Sequence, residues 1–148
     1  MPVNPELLGR KFPPTAPYLV GREKVREFAR AVFADDPQHT DPEVARSLGY
    51  ADVVAPPTFA IIMQELTLQQ LLAEPDSGIV LSHVLHAEQR FAYSRAIVAG
   101  DELTAALTVT GLRTIGGNAM VTSEAAITDA AGAHVATATS ILLVGEGE

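Results

Sequence analysis

Cysteine and tryptophan are both absent from this chain of 148 residues. Without cysteine there is no disulfide, no thiolate metal site and no cysteine nucleophile, and such a composition suits a reducing compartment. Basic residues are scarce as well, because 10 Lys and Arg stand against 18 Asp and Glu and leave a formal net charge of −8. Nucleic-acid phosphates require clustered positive charge, so we expect no nucleic-acid partner.

Long hydrophobic runs are also missing. The longest apolar run is Phe59 to Met63, which is far too short to cross a bilayer. The segment from Met1 to Phe12 lacks the apolar stretch of a signal peptide. We therefore expect a cytoplasmic protein with no membrane span, folded as one domain over residues 1–148.

Three segments have the signals of helices. Apolar residues at i, i+3, i+4, i+7 and i+8 predict an amphipathic helix from Gly21 to Phe33, with its stripe at Val25, Phe28, Ala29, Val32 and Phe33. A short helix is predicted over Asp41 to Leu48, capped by Asp41 and stopped by Gly49. A long helix is predicted after Pro57, with Thr58 as its cap, ending near Ala73 before Pro75.

The long helix has apolar residues around most of its circumference, so it must be buried on several sides. Everything after Gly78 predicts strands, over Ile79 to Tyr93, Glu102 to Leu112, Ala119 to Asp129 and His134 to Val144. In the second of these strands Leu103, Ala105, Leu107 and Val109 alternate with more polar residues, which gives one apolar face. One buried helix with consecutive antiparallel strands indicates an α+β domain in which a curved antiparallel sheet wraps around a long central helix.

The segment that joins the first two helices contains an ordered set of acidic, proline and histidine residues, Phe33-Ala34-Asp35-Asp36-Pro37-Gln38-His39-Thr40-Asp41-Pro42. It resembles the Gly-Asp-x-Asn-Pro-x-His-x-Asp-Pro signature of the MaoC-like hydratase/dehydratase family. Four positions match, at Pro37, His39, Asp41 and Pro42. The family's catalytic Asp lies five positions before the His, and here that position is Ala34.

The resemblance extends along nearly the whole chain. Val53 to Phe59 resembles the family's entry into its central helix, and Leu85 to Phe91 with Val98 to Asp101 resembles the strand and turn that follow. The resemblance implies a single hot-dog domain. It is strongest to the N-terminal type of MaoC-like domain, which implies a non-catalytic subunit of a (3R)-hydroxyacyl carrier-protein dehydratase. Such a subunit shapes the acyl tunnel while a second, catalytic MaoC-like subunit supplies the Asp and the His.

Two departures from the family pattern support that reading. Hydration of an enoyl thioester needs an acid and a base that share one water, and the methyl group of Ala34 can exchange no proton. Catalytic relatives also use a glycine N–H at the entrance to the central helix as an oxyanion donor, and the corresponding residue here is Pro57, which has no N–H. The catalytic candidates in this chain are therefore His39 with Asp36 or Asp35.

The resemblance implies an acyl-binding region along the central helix, for which the candidates are Pro57, Thr58, Phe59, Ile62 and His86. Simpler interpretations stand beside these. His39 could only bridge its loop, Asp35 and Asp36 are good turn residues, and His86 could be an ordinary strand histidine. The stripe of Arg22, Arg26 and Arg30 could meet an acidic acyl carrier protein or the phosphates of coenzyme A, but we favour a solvated face with i, i+3 ion pairs.

Three functions follow as hypotheses. The first is a component of a (3R)-hydroxyacyl thioester dehydratase, or (R)-specific enoyl thioester hydratase, in fatty-acid metabolism, which binds the acyl chain and relies on a catalytic partner. The second is a self-sufficient hydratase that uses His39 with Asp35 or Asp36. The third is a non-enzymatic module that binds acyl thioesters of coenzyme A or acyl carrier protein.

Further expectations concern assembly and cofactors. We expect a homodimer, or a heterodimer with the catalytic subunit, because unpaired sheet edges are generally covered. No cluster of His, Asp and Glu has metal-ligand spacing, and there is no glycine-rich phosphate loop, so we expect neither a metal nor an organic cofactor. A hot-dog thioesterase is disfavoured because the loop motif is that of a hydratase.

Overall fold

The computed structural model of the chain describes residues 2–145. It contains three α-helices, named here α1 to α3, and five strands, named β1 to β5. The helices are α1 (Arg22–Ala31), α2 (Pro42–Ser47) and α3 (Ile61–Ala73), and the strands are β1 (Tyr18–Leu19), β2 (Val84–Tyr93), β3 (Glu102–Ile115), β4 (Asn118–Thr128) and β5 (His134–Val144). Short 3₁₀ turns cover Pro5–Leu7, Pro37–His39 and Leu81–His83.

The strands form one antiparallel sheet in the order β1-β3-β4-β5-β2. Register shifts lie between His86 and Glu88 in β2 and between Val109 and Gly111 in β3. Such bulges increase local twist and bend the strand. The curled sheet packs around α3, and the predicted α+β hot-dog fold with a single domain is confirmed. Among the described residues β2 pairs only with β5, so the outer edge of β2 has no strand beside it.

The core lies between α3 and the concave face of the sheet. The predicted apolar face of β3 is confirmed, because Leu103, Ala105, Leu107 and Val109 are all buried. Helix α3 buries Met63, Leu68 and Leu71 fully or almost fully, and its other large apolar residues, Ile61, Ile62, Leu66 and Leu72, are half-buried. The helix is therefore covered on most of its circumference, as its sequence predicts.

Helix α1 ends two residues before the predicted boundary at Phe33. Its C-terminus is a Schellman motif, in which the N–H of Ala34 donates to the carbonyl of Ala29 and the N–H of Phe33 donates to that of Arg30. Phe33 takes the left-handed position of this motif, with φ of 58°. The reversal of the chain turns its ring into solvent, where it is 85% exposed, and Val32 is 42% exposed. The prediction that both residues join the buried stripe is therefore wrong.

The caps of the other two helices differ in outcome. Helix α2 begins as predicted, since the Asp41 side chain accepts a hydrogen bond from the Glu43 N–H, and Gly49 follows with φ of 93°. Helix α3 begins at Ile61 instead of directly after Thr58, and its N-cap is Ala60, which makes no side-chain bond. The prediction of Thr58 as the cap is therefore wrong.

Tertiary packing explains the later start of α3. Phe59 is fully buried, and its ring meets that of Phe28 on α1 edge-to-face at 5.3 Å between centroids. The turn that inserts Phe59 uses i to i−3 hydrogen bonds, from the Phe59 N–H to the carbonyl of Pro56 and from the Ile61 N–H to that of Thr58. Burial of an aromatic ring stabilises the fold more than a single cap hydrogen bond does. The packing of Phe59 therefore determines the local backbone conformation.

The boundaries of three predicted strands differ. Strand β2 begins at Val84 because Leu81–His83 forms a 3₁₀ turn, β3 continues to Ile115, and β4 begins and ends one residue earlier than predicted, at Asn118 and Thr128. The two-residue strand β1 was not predicted. The proline-rich segment before it, Pro13 to Pro17, lies along β3, where the N–H of Phe12 donates to the carbonyl of Leu107 and that of Thr15 donates to the carbonyl of Ala105.

Candidate functional site

His39 ends the 3₁₀ turn that joins α1 to α2, and its side chain is almost completely buried at 7% exposure. Its Nδ1 lies 2.6 Å from the carbonyl oxygen of Val54. A carbonyl oxygen only accepts, so Nδ1 carries the proton and donates. In the neutral imidazole this bond leaves Nε2 with its lone pair available to a ligand.

His39 lines a cleft of about 300 Å³. The rest of the lining is mostly apolar and comes from the chain before α3 and from the end of β2 and its following turn: Tyr50, Val54, Ala55, Pro57, Tyr93, Ala96 and Ile97. No carboxylate is among these lining residues of the described chain. The cleft therefore offers one imidazole and two phenols to a largely apolar ligand.

Helix α1 fixes the backbone around His39 through two arginines. Arg26 donates from Nε to the carbonyl oxygen of Thr40 at 2.9 Å. Arg22 forms a two-point ion pair with Asp52, at 3.0 Å from Nε and 2.7 Å from Nη2. These contacts were not predicted from the sequence, which predicted the i, i+3 pairs Glu23 with Arg26 and Glu27 with Arg30. The first pair is present, whereas Glu27 pairs with Lys24 instead.

Asp52 is held in its ionised form. The hydrogen bonds from Arg22 lower its pKa from the ordinary value to about 2, and the Val53 N–H, which also donates to this carboxylate at 2.7 Å, acts in the same direction against the cost of burial. An Asp with so low a pKa donates no proton near neutral pH. Asp52 therefore positions the chain before Val54 and is excluded as a general acid.

Tyr93 closes one side of the cleft. Its hydroxyl donates a hydrogen bond to the carbonyl oxygen of Pro57, which ties β2 to the turn before α3. Burial raises the pKa of this phenol, and a backbone hydrogen bond from Ala60 opposes that rise. The phenol is thus neutral near pH 7 and stays a hydrogen-bond donor.

The structure separates the catalytic residues predicted from the sequence. Asp35 and Asp36 are exposed, and neither lines the cleft that contains His39. The Asp36 side chain makes no cap hydrogen bond to the 3₁₀ turn. His39 therefore lies in the cleft without either of its two predicted carboxylate partners.

The predicted acyl-binding residues divide among three places. Pro57 lines the cleft, whereas Thr58 and His86 line a separate apolar groove of about 500 Å³. Phe59 is fully buried in the core, and Ile62 is half-buried against it. The groove is completed by Phe28, Val32, Ile61, Gln89 and Phe91.

A chain of side-chain hydrogen bonds runs from the core to this groove. The buried Gln64 of α3 donates from Nε2 to the carbonyl oxygen of Ala138 at 3.3 Å, and its Oε1 accepts from Nε2 of Gln89. Gln89 in turn accepts from His86 Nε2 at 3.0 Å. Because a backbone carbonyl accepts at one end, the direction of every bond is fixed and the proton of His86 lies on Nε2.

The turn after β2 also has a defined structure. Asp101 accepts from the Val98 N–H and pairs with Arg95 at 2.8 Å, and Gly100 has φ of 98°, a backbone conformation that favours glycine.

Among residues 2–145, no three His, Asp or Glu side chains come together as a group able to hold a metal ion. None of the helices in this part of the chain is long and apolar enough to cross a membrane.

Sequence comparison places the chain in a known family. The family model described as "FAS1-like, dehydratase domain region" matches residues 6–138. A UPF0336 protein of Clavibacter michiganensis is 66% identical over 144 residues, 97% of each chain. Another from Streptomyces avermitilis is 44% identical over 148 residues, 100% of this chain and 99% of its own length. The chain belongs to this FAS1-like dehydratase family.

Solved structures agree with that assignment. The (3R)-hydroxyacyl-ACP dehydratase complex HadBC of Mycobacterium tuberculosis includes a chain that is 32% identical, with a TM-score of 0.83, over 93% of this chain and 96% of that one. A MaoC-like dehydratase is 37% identical with a TM-score of 0.85, and the match covers 93% of this chain and 42% of that protein. The chain is therefore a MaoC-like hot-dog protein, as the motif around His39 indicates.

Proposed function

We propose that this chain is the acyl-binding component of a (3R)-hydroxyacyl thioester dehydratase, reversible as an enoyl thioester hydratase, and that a catalytic MaoC-like partner supplies most of its rate. The observation that carries the proposal is the cleft itself, an apolar space lined by His39 with no carboxylate in its described lining. Such a site suits an acyl thioester but holds only one of the two groups that the reaction needs.

The reaction explains why one group is insufficient. Dehydration takes a proton from C2 of the hydroxyacyl thioester and releases the C3 hydroxyl as water, which leaves a trans-2-enoyl thioester. A base must accept the first proton and an acid must protonate the departing hydroxyl. His39 could perform one of these steps. The carboxylate of Asp52 is held by Arg22, and Asp35 and Asp36 are exposed outside the cleft, so none of them is placed to perform the other.

A second observation concerns the thioester oxygen. Backbone N–H groups that stabilise a developing oxyanion contribute about 3 kcal/mol each in well-studied enzymes. At the entrance to α3, Pro57 has no N–H to donate. The position therefore lacks the donor that the resemblance assigns to it in catalytic relatives, which supports a binding role over self-sufficient catalysis.

The outer edge of β2 is the surface that we propose for assembly. This edge has no strand beside it among the described residues, and Leu85 there is 64% exposed. Unpaired, exposed strand edges invite pairing with another chain. We propose a homodimer for the isolated protein and a heterodimer with the catalytic MaoC-like subunit, and the heteromeric HadBC complex supports this proposal.

The test of the proposal is binding without conversion. Calorimetric titration of the isolated protein with crotonyl-coenzyme A should show saturable binding, and mass spectrometry of the mixture should show almost no hydrated product. The variant Ala96→Phe, which fills the cleft, should weaken binding at least tenfold. Ala126→Phe adds the same ring on the exposed face of β4 and serves as the control. No saturable binding, or equal affinity in Ala96→Phe, would refute the proposal.

A further inference from the structure

Two apolar spaces lie beside the entrance to α3. The cleft that contains His39 is lined by Pro57 and Tyr93, whereas the groove beside β2 is lined by Thr58 and Phe91. Thr58 directly follows Pro57, and Phe91 lies two residues before Tyr93 on the same face of β2. The residues that line the two spaces are therefore neighbours both in the turn before α3 and along β2.

The hydrogen bond from the Tyr93 hydroxyl to the Pro57 carbonyl crosses the boundary between them. The rings of Tyr93 and Phe91 lie 6.3 Å apart, which leaves the Tyr93 ring at the end of the cleft and the Phe91 ring at the start of the groove. Tyr93 thus links the sheet to the turn before α3, next to Thr58 and Phe91, which line the groove of about 500 Å³.

We infer that Tyr93 limits the length of the acyl chain that the His39 cleft accepts. The inference rests on the proposed function, since it assigns the cleft to an acyl thioester. With its polar end beside His39, a short chain fills the apolar cleft up to the Tyr93 ring. A longer chain must break the bond to Pro57 and displace the phenol before it reaches the apolar groove of Phe28, Ile61 and Phe91.

The cost of that displacement explains the selectivity. A long chain gains apolar contact in the groove, but it leaves the Pro57 carbonyl and the Tyr93 hydroxyl without their mutual hydrogen bond. The variant Tyr93→Phe removes the hydroxyl and retains the ring, so the side chain can swing aside without this loss. Tyr93 is a specificity-determining residue in this account, and it takes no part in proton transfer.

The experiment compares affinities for a short and a long thioester. Calorimetric titration with butyryl- and dodecanoyl-coenzyme A should show that Tyr93→Phe raises the ratio of long-chain to short-chain affinity at least tenfold above the parental ratio. Tyr18→Phe removes a phenol hydroxyl from a half-buried tyrosine on β1, at the opposite edge of the sheet, and should leave the ratio of the two affinities at the parental value.

A measurement on the parent protein serves if Tyr93→Phe does not fold. The chain has three tyrosines and no tryptophan, so tyrosine emission is directly visible. Dodecanoyl-pantetheine should change this emission by releasing the Tyr93 phenol from Pro57, and butyryl-pantetheine should change it much less. Equal emission changes, or the same ratio of affinities in parent and Tyr93→Phe, would overturn the inference alone. Absence of binding at both lengths would overturn the proposed function and the inference with it.

Discussion

The guanidinium Nε of Arg26 donates a 2.9 Å hydrogen bond to the carbonyl oxygen of Thr40, the residue that follows His39. The next arginine toward the start of α1, Arg22, holds Asp52, which lies two residues before Val54. Because His39 and Val54 are themselves joined by a hydrogen bond, α1 fixes both partners of that bond. An arginine stripe predicted to be a solvated helix face therefore positions the imidazole.

The ion pair of Arg22 with Asp52 makes the stability of the fold dependent on acid. Folding lowers the pKa of Asp52 from 3.8 to about 2, so the ionised carboxylate stabilises the fold above pH 3.8 and this stabilisation is lost as the pH falls toward 2. Asp52→Asn should therefore lower the midpoint of urea unfolding at pH 7. The difference between the variant and the parent should shrink below about pH 4 and be mostly lost near pH 2.

Glu65→Gln is the control for this series, because Glu65 is exposed on α3 and makes no salt bridge in the described part of the chain. Its unfolding midpoint should follow that of the parent at every pH. A difference between Asp52→Asn and the parent that persists unchanged at pH 2 would contradict the assignment of the stabilisation to the ionised carboxylate.

Phe33 occupies a backbone position that glycine favours, with φ of 58° and an 85% exposed ring. A non-glycine residue in the left-handed region costs about 1 to 2 kcal/mol, and replacement by glycine relieves this strain. The greater conformational freedom of glycine in the unfolded state offsets part of the resulting stabilisation. Phe33→Gly should therefore raise the free energy of unfolding by about 0.5 to 1 kcal/mol in urea titrations. Val32→Gly, at the preceding residue with φ of −104°, should lower it. Equal effects of the two substitutions would show that the backbone conformation of Phe33 carries no strain.

The buried amide of Gln64 is predicted to be a structural requirement. Gln64→Leu preserves the volume but removes the hydrogen bonds of the Gln64 amide to the Ala138 carbonyl and to Nε2 of Gln89. Each lost hydrogen bond costs about 0.5 to 1.5 kcal/mol, so we expect destabilisation of about 1 to 3 kcal/mol in chemical unfolding. Gln69→Leu on the exposed side of α3 should change the free energy of unfolding by less than about 0.5 kcal/mol. A neutral Gln64→Leu would show that the hydrogen-bond chain contributes nothing to stability.

Restoring the missing carboxylate is predicted to be insufficient for catalysis. In Ala34→Asp the motif regains its Asp, but residue 34 does not line the cleft and Pro57 still has no N–H. Groups that act as a unit are strongly non-additive, so enoyl thioester hydration by the isolated variant should rise less than about tenfold. The double variant Ala34→Asp with Pro57→Gly tests the second defect. A rise of about a thousandfold in Ala34→Asp alone would show that the entrance to α3 is competent as it stands.

Local rules predicted the parts of the fold that depend on neighbours in sequence. The Asp41 cap, the stop at Gly49 and the alternation that buries Leu103 and Leu107 each follow from residues a few positions apart. The start of α3 was mispredicted because Phe59 packs against Phe28, which lies 31 residues earlier. Periodicity alone placed Phe33 in the helical stripe, although the backbone reverses there.

The candidate site shows the same division. The motif identified His39, which the structure places in a cleft, because a family pattern is local in sequence. The contacts of Arg22 with Asp52 and of Gln64 with Gln89 join residues 30 and 25 positions apart. No spacing rule reports such pairs, since they arise only when the sheet closes around α3. The sequence predicts Tyr93 only as the end of a strand, and its bond to Pro57 depends on the turn before α3.

The most direct test is to measure steady-state hydration of trans-2-octenoyl-coenzyme A by three samples. These are this protein alone, a MaoC-like subunit with an intact motif, and the two expressed together. We predict turnover in the ordinary enzymatic range of about 10 per second for the complex, and a rate at least about 100-fold lower for this protein alone. A turnover number near 10 per second for the isolated protein, abolished by His39→Ala, would contradict the account and make the chain an enzyme in its own right.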